Sequence, residues 1–222
     1  MQKYCDPVKF DHLFMRWNFL VMGKSECTSP FAESERSRSI ASRIGILLSL
    51  FAVAFGLYAS YIKLGYNWIW YSWHPISMLI SFVAFGGNAI LIKKIGGYEN
   101  TKKHGYLMVL GSVLAAFAWY VIYSNKNIQG KKHLTSIHGK LGAAVLLGNV
   151  SLATVGAVAL NPNWGFMKTN KLFRKVHKIS GRAVTAAAWL SCFFGFSTTE
   201  KDPMYRASFG FSLMLMAYFV LL

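Results

Sequence analysis

Acidic residues are scarce in this sequence, which has 8 Asp and Glu against 24 Lys and Arg in 222 residues. Charged residues of both signs make up only 14% of the chain, whereas an ordinary soluble domain has about 25%. Hydrophobic residues reach 54%, and the mean hydropathy is positive. The shortage of charge therefore indicates a membrane protein and argues against a soluble domain.

Cysteine is also rare, and the three cysteines, Cys5, Cys27 and Cys192, form no disulfide pattern. The net charge of +16 raises nucleic-acid binding as an alternative. However, the Lys and Arg residues occur in short clusters between apolar runs, as expected of charges that flank membrane spans. The expected partner is a lipid bilayer, and nucleic acid is excluded.

Six apolar stretches are long enough to cross a bilayer core of about 30 Å as helices. The sequence predicts spans at residues 44–62, 68–92, 104–124, 138–160, 176–196 and 205–222. The expected fold is all-α, a six-helix transmembrane bundle in residues 41–222 that follows a basic cytosolic segment, residues 1–40. Lys and Arg are most frequent in that segment and in the loops after the second and fourth spans, which predicts that both termini face the cytosol.

Four of the six histidines stand near the starts of neighbouring spans, two to five: His74, His104, His138 and His177. Because successive spans run in opposite directions, His74 and His138 are expected at the outer level, and His104 and His177 at the inner level. Two facing imidazoles can bind one haem iron, whereas zinc and di-iron sites need more protein ligands. For any one of these histidines, the alternative is a polar tip that reaches the lipid headgroups.

Two features specify the haem further. Without a Cys-x-x-Cys-His motif, a bound haem would be non-covalent haem b. Gly142 and Gly181 each follow a predicted ligand by four residues, where a glycine would let a flat macrocycle approach the backbone. Helix packing is the alternative role of these glycines. The pattern predicts two haems b, one for each pair of histidines.

Short motifs around these histidines match a known family. Ser72-Trp73-His74-Pro75 opens the second span, His104-Gly105 the third, and Val176-His177-Lys178 the fifth, while His133-Leu134-Thr135-Ser136-Ile137-His138-Gly139 enters the fourth. Together these motifs resemble the cytochrome b561 family over about residues 40–222, and in particular its compact, domain-only subgroup.

The resemblance implies a transmembrane oxidoreductase with two haems b, both held in a four-helix core formed by spans two to five. Such a protein carries electrons from cytosolic ascorbate to a non-cytosolic acceptor, either a ferric chelate or monodehydroascorbate. The implied ligand pairs are His74 with His138 and His104 with His177. An endoplasmic reticulum or vesicle membrane is expected, with the plasma membrane as an alternative. A non-haem transporter or scaffold subunit is the rival function, and the sequence leaves a homodimer open.

Charged residues in the loops are candidates for substrate contacts. On the inner side, an anionic reductant could be bound by four lysines: Lys93, Lys94, Lys102 and Lys103. The alternative is that these lysines only flank the spans. On the outer side, where positive charge is not expected, Lys131, Lys132 and His133 predict acceptor binding or contact with haem propionates.

Overall fold

The computed structural model describes residues 30–221 of the chain. The chain divides into two units, residues 1–36 and residues 37–222. The second unit contains all the histidines predicted as ligands. Residues 1–29, which make up most of the predicted basic segment, lie outside the described residues. The boundary predicted at residue 40 stays a prediction.

Six helices in the described residues are long and apolar enough to cross a membrane, which confirms the predicted all-α, six-span architecture. The first is α1, Pro30–Leu57, extended by a π-helical turn at Tyr58–Ile62. The second, α2, comprises Trp73–Leu79, a π-helical segment at Ile80–Phe85, and Gly86–Ile95. The others are α3 Tyr98–Ile128, α4 Ile137–Val158, α5 Lys171–Thr199 and α6 Pro203–Leu221.

Local sequence signals set the ends of the core helices. The Ser136 hydroxyl accepts a hydrogen bond from the Gly139 amide and caps the start of α4, 3.1 Å away. Asn170 caps α5 in the same way. Between α2 and α3, Gly96 and Gly97 have φ angles of 79° and 87°, which glycine adopts without a steric cost. This tight turn makes α2 and α3 antiparallel neighbours.

The π-helical segment in the middle of α2 changes its hydrogen bonding. The Phe82 carbonyl accepts a hydrogen bond of 2.9 Å from the indole N–H of Trp189 on α5. A π-helical turn places one extra residue in a helix and often marks a functional region. Here it links α2 to α5 inside the bundle, where a backbone carbonyl must find a partner without water.

Helices α2, α3, α4 and α5 pack in sequence around a common centre, and α2 contacts α5 to close the ring. α1 and α6 pack outside this four-helix core through an aromatic cluster. The cluster consists of Phe51, Phe55, Phe196 and Phe209, with ring centroids between 4.3 and 5.7 Å apart. The core helices therefore provide the inward-facing positions at which a cofactor could lie.

Candidate haem sites

At the end of the bundle that the charge bias predicts to be outer, called the outer end, His74 and His138 face each other. Their ring centroids are 6.1 Å apart, and the ring planes are at 76°. His74 on α2 is buried and its Nδ1 lies 2.9 Å from the Ala118 carbonyl of α3. His138 on α4 makes the equivalent contact, 2.9 Å, with the Ser191 carbonyl of α5.

At the opposite, inner end lie His104 on α3 and His177 on α5, and His177 contributes to the electrostatic environment of His104. Nδ1 of His104 lies 3.0 Å from the Ala89 carbonyl of α2. The His177 imidazole departs from this arrangement, because its Nδ1 is buried without a hydrogen-bond partner among the described residues. Three of the four imidazoles are thus oriented by a carbonyl on the neighbouring helix.

These carbonyl contacts determine the tautomer of three imidazoles. A backbone carbonyl can only accept, so Nδ1 of His74, His104 and His138 must carry the proton. Nε2 then keeps its lone pair, which is the state in which histidine binds a metal. A metal-binding imidazole usually donates a hydrogen bond in this way from the ring nitrogen that does not bind the metal.

The residues present fit haem b. An iron held between two imidazoles requires ring centroids roughly 6 Å apart, since each metal–nitrogen bond is about 2 Å and each ring centre lies about 1 Å further. The separation of His74 and His138 meets this requirement. A Cβ placed at Gly181, one turn after His177, would meet no protein atom within 4 Å, which suits a flat ring. Among the described residues, no three metal-binding side chains come together, as a zinc site would need.

Two glycines on neighbouring helices contact the ligands, and the sequence analysis missed both. A Cβ at Gly195 on α5 would lie 2.7 Å from Cε1 of His138, closer than such atoms pack. A Cβ at Gly156 on α4 would lie 3.5 Å from Cε1 of His177, an ordinary contact distance. The glycines singled out from the sequence, such as Gly142, share a helix with a ligand. Spacing along the chain gives no signal for a glycine on the neighbouring helix.

The four inner lysines have different surroundings. The Lys93 ammonium donates to the Thr101 hydroxyl at 2.6 Å, and its charge acts on both inner imidazoles. The Lys94 ammonium donates to the Phe219 carbonyl at the end of α6, 3.1 Å away. Lys102 pairs with Glu99 at 2.9 Å, while Lys103 is exposed.

More positive charge surrounds Lys93 and Lys94 at this end. The charge of Arg174 acts on Lys93, and the charges of Arg182 and Lys178 act on Lys94. Arg174 was not among the predicted site residues. The inner end therefore concentrates positive charge beside the pair of His104 and His177.

At the outer end, the predicted contact residues Lys131, Lys132 and His133 are all exposed. His133 stacks on Tyr123 with centroids 4.5 Å apart, and its Nε2 lies 2.8 Å from the Asn127 side chain. Lys126 was not among the predicted site residues. Its charge acts on both His74 and His138. Lys126 is thus the lysine whose charge affects both imidazoles of the outer pair.

The fold defines an all-α, multi-pass membrane protein with two facing imidazoles at one end of its four-helix core. The family model described as eukaryotic cytochrome b561 matches residues 73–201, which include all four histidines. The chain belongs to the cytochrome b561 family, which confirms the family resemblance noted from its motifs. Haem b is the cofactor of this family.

Curated relatives are more distant. The mouse protein named plasma membrane ascorbate-dependent reductase CYBRD1 is 21% identical over 174 residues, 71% of this chain and 59% of that protein. The maize protein named ascorbate-specific transmembrane electron transporter 1 is 33% identical over 81 residues, 33% of each chain. Mouse transmembrane reductase CYB561D2 is 23% identical over 71% of this chain and 76% of its own length. The chain therefore spans less than two thirds of the first two relatives.

Proposed function

We propose that this chain is a transmembrane oxidoreductase that carries electrons through two haems b, from cytosolic ascorbate to a non-cytosolic acceptor. The acceptor is a ferric chelate or monodehydroascorbate. The observation that supports this proposal best is the pair of imidazoles 6.1 Å apart at one end of the core, with a second pair at the other end. The names of the relatives, which include ascorbate-dependent and transmembrane reductases, agree with it.

The protein residues have defined tasks in this proposal. His74 and His138 hold one haem, and His104 and His177 hold the other. Each bound haem supplies one-electron exchange between ferric and ferrous iron. The Ala118 carbonyl and its counterparts hold the proton on Nδ1 and fix the orientation of the imidazoles, which leaves Nε2 free to bind iron. The apolar helices around both sites exclude water.

The inner end suits an anionic donor such as ascorbate. Lys93 and Lys94 lie beside Arg174, Lys178 and Arg182, and no carboxylate is among the charges that act on the two lysines. Unpaired positive charge attracts an anion and raises its association rate. We assign donor binding to this cluster, in which Lys103 is an exposed member and Lys102 is neutralised by Glu99.

The outer end carries a smaller positive surface, formed by Lys126, Lys131, Lys132 and His133. Monodehydroascorbate is an anion, and so is a ferric ion chelated by several carboxylates. This positive surface would therefore favour the approach of either acceptor. In this proposal, both termini face the cytosol, in an endoplasmic reticulum or vesicle membrane. The rival function, a non-haem transporter or scaffold subunit, finds no support in the family match.

Haem content tests the proposal directly. Purified protein should contain two haems b per chain, measured as haem relative to protein, and ascorbate should reduce them. A stoichiometry of one, with all four histidines intact, would contradict the two-site arrangement. A colourless protein that binds no added haem would favour the rival function.

A further inference from the structure

A polar group lies in the middle of the four-helix core, away from both histidine pairs. It consists of one side chain from each core helix: Ser81, Ser112, Asn149 and Thr185, each between 2% and 8% exposed. Ser81, Asn149 and Thr185 line a small cavity, and the Asn149 amide donates to the Ser112 hydroxyl at 2.8 Å. Such a polar centre is uncommon in a membrane protein, because nothing apolar around it can satisfy its polar atoms.

The group is at the level halfway between the two proposed haem sites. On α5, Thr185 lies eight residues after His177 and six before Ser191, whose carbonyl contacts the outer ligand. On α3, Ser112 lies eight residues after the inner ligand and six before the carbonyl that contacts His74. Any electrostatic effect of this group should therefore reach both sites to a similar extent.

Asn149 is the member of this group whose hydrogen bonding is incomplete. The Ser112 hydroxyl donates its only proton to the Met108 carbonyl at 2.7 Å, so it can only accept from Asn149. This fixes the amide, with Nδ2 toward Ser112 and Oδ1 elsewhere. Among the described residues, Oδ1 and the second N–H of Asn149 have no protein partner, although the side chain is 95% buried. A buried amide of this kind normally binds water.

The cavity beside Asn149 can accept a ligand of that size. Its free space corresponds to about one water molecule. Ser81 and Thr185 donate their protons to the Gly111 and Gly181 carbonyls, so their oxygens keep lone pairs that can accept from a water. A water there would have at least three polar neighbours, which is the usual number for a buried water.

We propose that Asn149 holds an ordered water molecule in this cavity and that the amide and its water lower the midpoint potentials of both haems. This inference rests on the proposed function. An oxidised iron–porphyrin centre carries one more positive charge than the reduced one. Ser112 fixes the amide, but the water held by Asn149 can reorient, and in a low-dielectric interior a dipole that reorients stabilises the more highly charged state. Hydrogen bonding and burial are among the features that set haem potentials.

Redox titration of purified protein tests the electrostatic part. Asn149→Leu keeps the volume and removes the polar atoms, so both midpoint potentials should rise. We expect at least a threefold change in each reduction equilibrium, which is about 28 mV for a one-electron couple. Asn149→Ser, which keeps a hydroxyl and leaves room for water, should stay closer to wild type. Ser208→Ala removes a similar hydroxyl on exposed α6 and should change neither potential.

The outcomes separate this inference from the proposed function. If Asn149→Leu keeps two haems with unchanged potentials, or shifts only one of them, the inference is overturned. A wild-type protein without haem would instead contradict the proposed function, before any variant is titrated. For wild type alone, infrared difference spectra of haem reduction in ordinary and oxygen-18 water should contain a band that moves with the isotope. Its absence would also overturn the inference, even if Asn149→Leu failed to fold.

Discussion

Gly195 on α5 and His138 on α4 approach so closely that a Cβ on the glycine would lie 2.7 Å from Cε1 of the imidazole. The ring cannot turn aside without losing the contact between its Nδ1 and the Ser191 carbonyl. We therefore expect Gly195→Ala to displace His138 and to remove or alter the outer haem, while the inner haem is retained. Low-temperature absorption spectra of the reduced protein would resolve the two haems.

Gly156→Ala is the matched control for this change. It also adds one methyl group beside a ligand imidazole, but at 3.5 Å from Cε1 of His177 the contact is an ordinary one. Both haem signals should persist in this variant. If Gly195→Ala left the spectrum as unchanged as Gly156→Ala does, the close approach would have no role in positioning His138.

The histidine pairing predicts which variants share a phenotype. Losing either axial ligand leaves a bis-histidine site incomplete, so His74→Ala and His138→Ala should remove the same haem. His104→Ala and His177→Ala should remove the other. Spectra and haem content of the four single variants measure this. His133→Ala is the control, because His133 stacks on Tyr123 at the surface, and it should retain both haems. A spectrum of His74→Ala that matched His104→Ala would refute the pairing.

Long uncharged runs were sufficient to predict six helices, since a bilayer leaves a spanning backbone few alternatives. The ends were less predictable. α3 begins at Tyr98, six residues before the predicted start at His104, because its polar first turns continue the helix beyond the apolar run. The π-helical segment of α2 was not predicted either. Its stabilising bond, from Trp189 to the Phe82 carbonyl, joins residues 107 apart in sequence.

The candidate ligands could be found from sequence because a histidine in an apolar span is conspicuous. Their support could not be, because it depends on how the helices are rotated against each other. The Ala118 and Ser191 carbonyls belong to unremarkable stretches, and backbone atoms have no sequence signature. Gly195 was missed for the same reason. The polar residues at the centre, such as Asn149, appeared in the sequence only as isolated positions within apolar runs.

Charge at the inner end should control the rate of reduction by ascorbate. The charge of Lys93 acts on both inner imidazoles, whereas Lys102 is already paired with Glu99. Lys93→Gln should slow reduction several-fold at low salt and less at high salt, because salt screens the attraction of an anion. Stopped-flow absorption across a salt series measures this. Lys94 is a poorer choice, since its bond to the Phe219 carbonyl ties it to α6.

Lys201→Gln removes the same charge from the exposed loop at the outer end and serves as the control. This variant should be reduced at close to the wild-type rate, because Lys201 is far from the inner end where ascorbate would bind. Both variants should reach the same fully reduced spectrum as wild type. If Lys93→Gln reacted at the wild-type rate at every salt concentration, the inner lysines would only set topology and the donor would bind elsewhere.

Glu200, in the outer loop between α5 and α6, connects these helices to α1. Its carboxylate accepts hydrogen bonds from the Tyr58 hydroxyl at 2.5 Å and from the Lys63 ammonium at 3.0 Å, and the residue is only 1% exposed. The bond from Tyr58, followed by those from the Asp202 amide and Lys63, lowers the pKa of Glu200 from 4.5 to about 2. The charged form is therefore the one that the fold stabilises.

The pH dependence of stability follows from the sign of this shift. A carboxyl whose pKa is lowered by folding contributes stability above its unfolded pKa and loses it as the pH falls toward its folded pKa. Glu200→Gln should lower the Tm in detergent at pH 7 and pH 5. Between about pH 4 and pH 3 the difference in Tm between this variant and wild type should narrow, because wild-type Glu200 then loses the stability that its charged form contributes.

Glu99→Gln is the control for this prediction. It breaks the exposed pair with Lys102 and should barely change the Tm at any pH. A gap for Glu200→Gln that stayed constant down to pH 3 would mean that the carboxylate is not held in its charged form by this cluster.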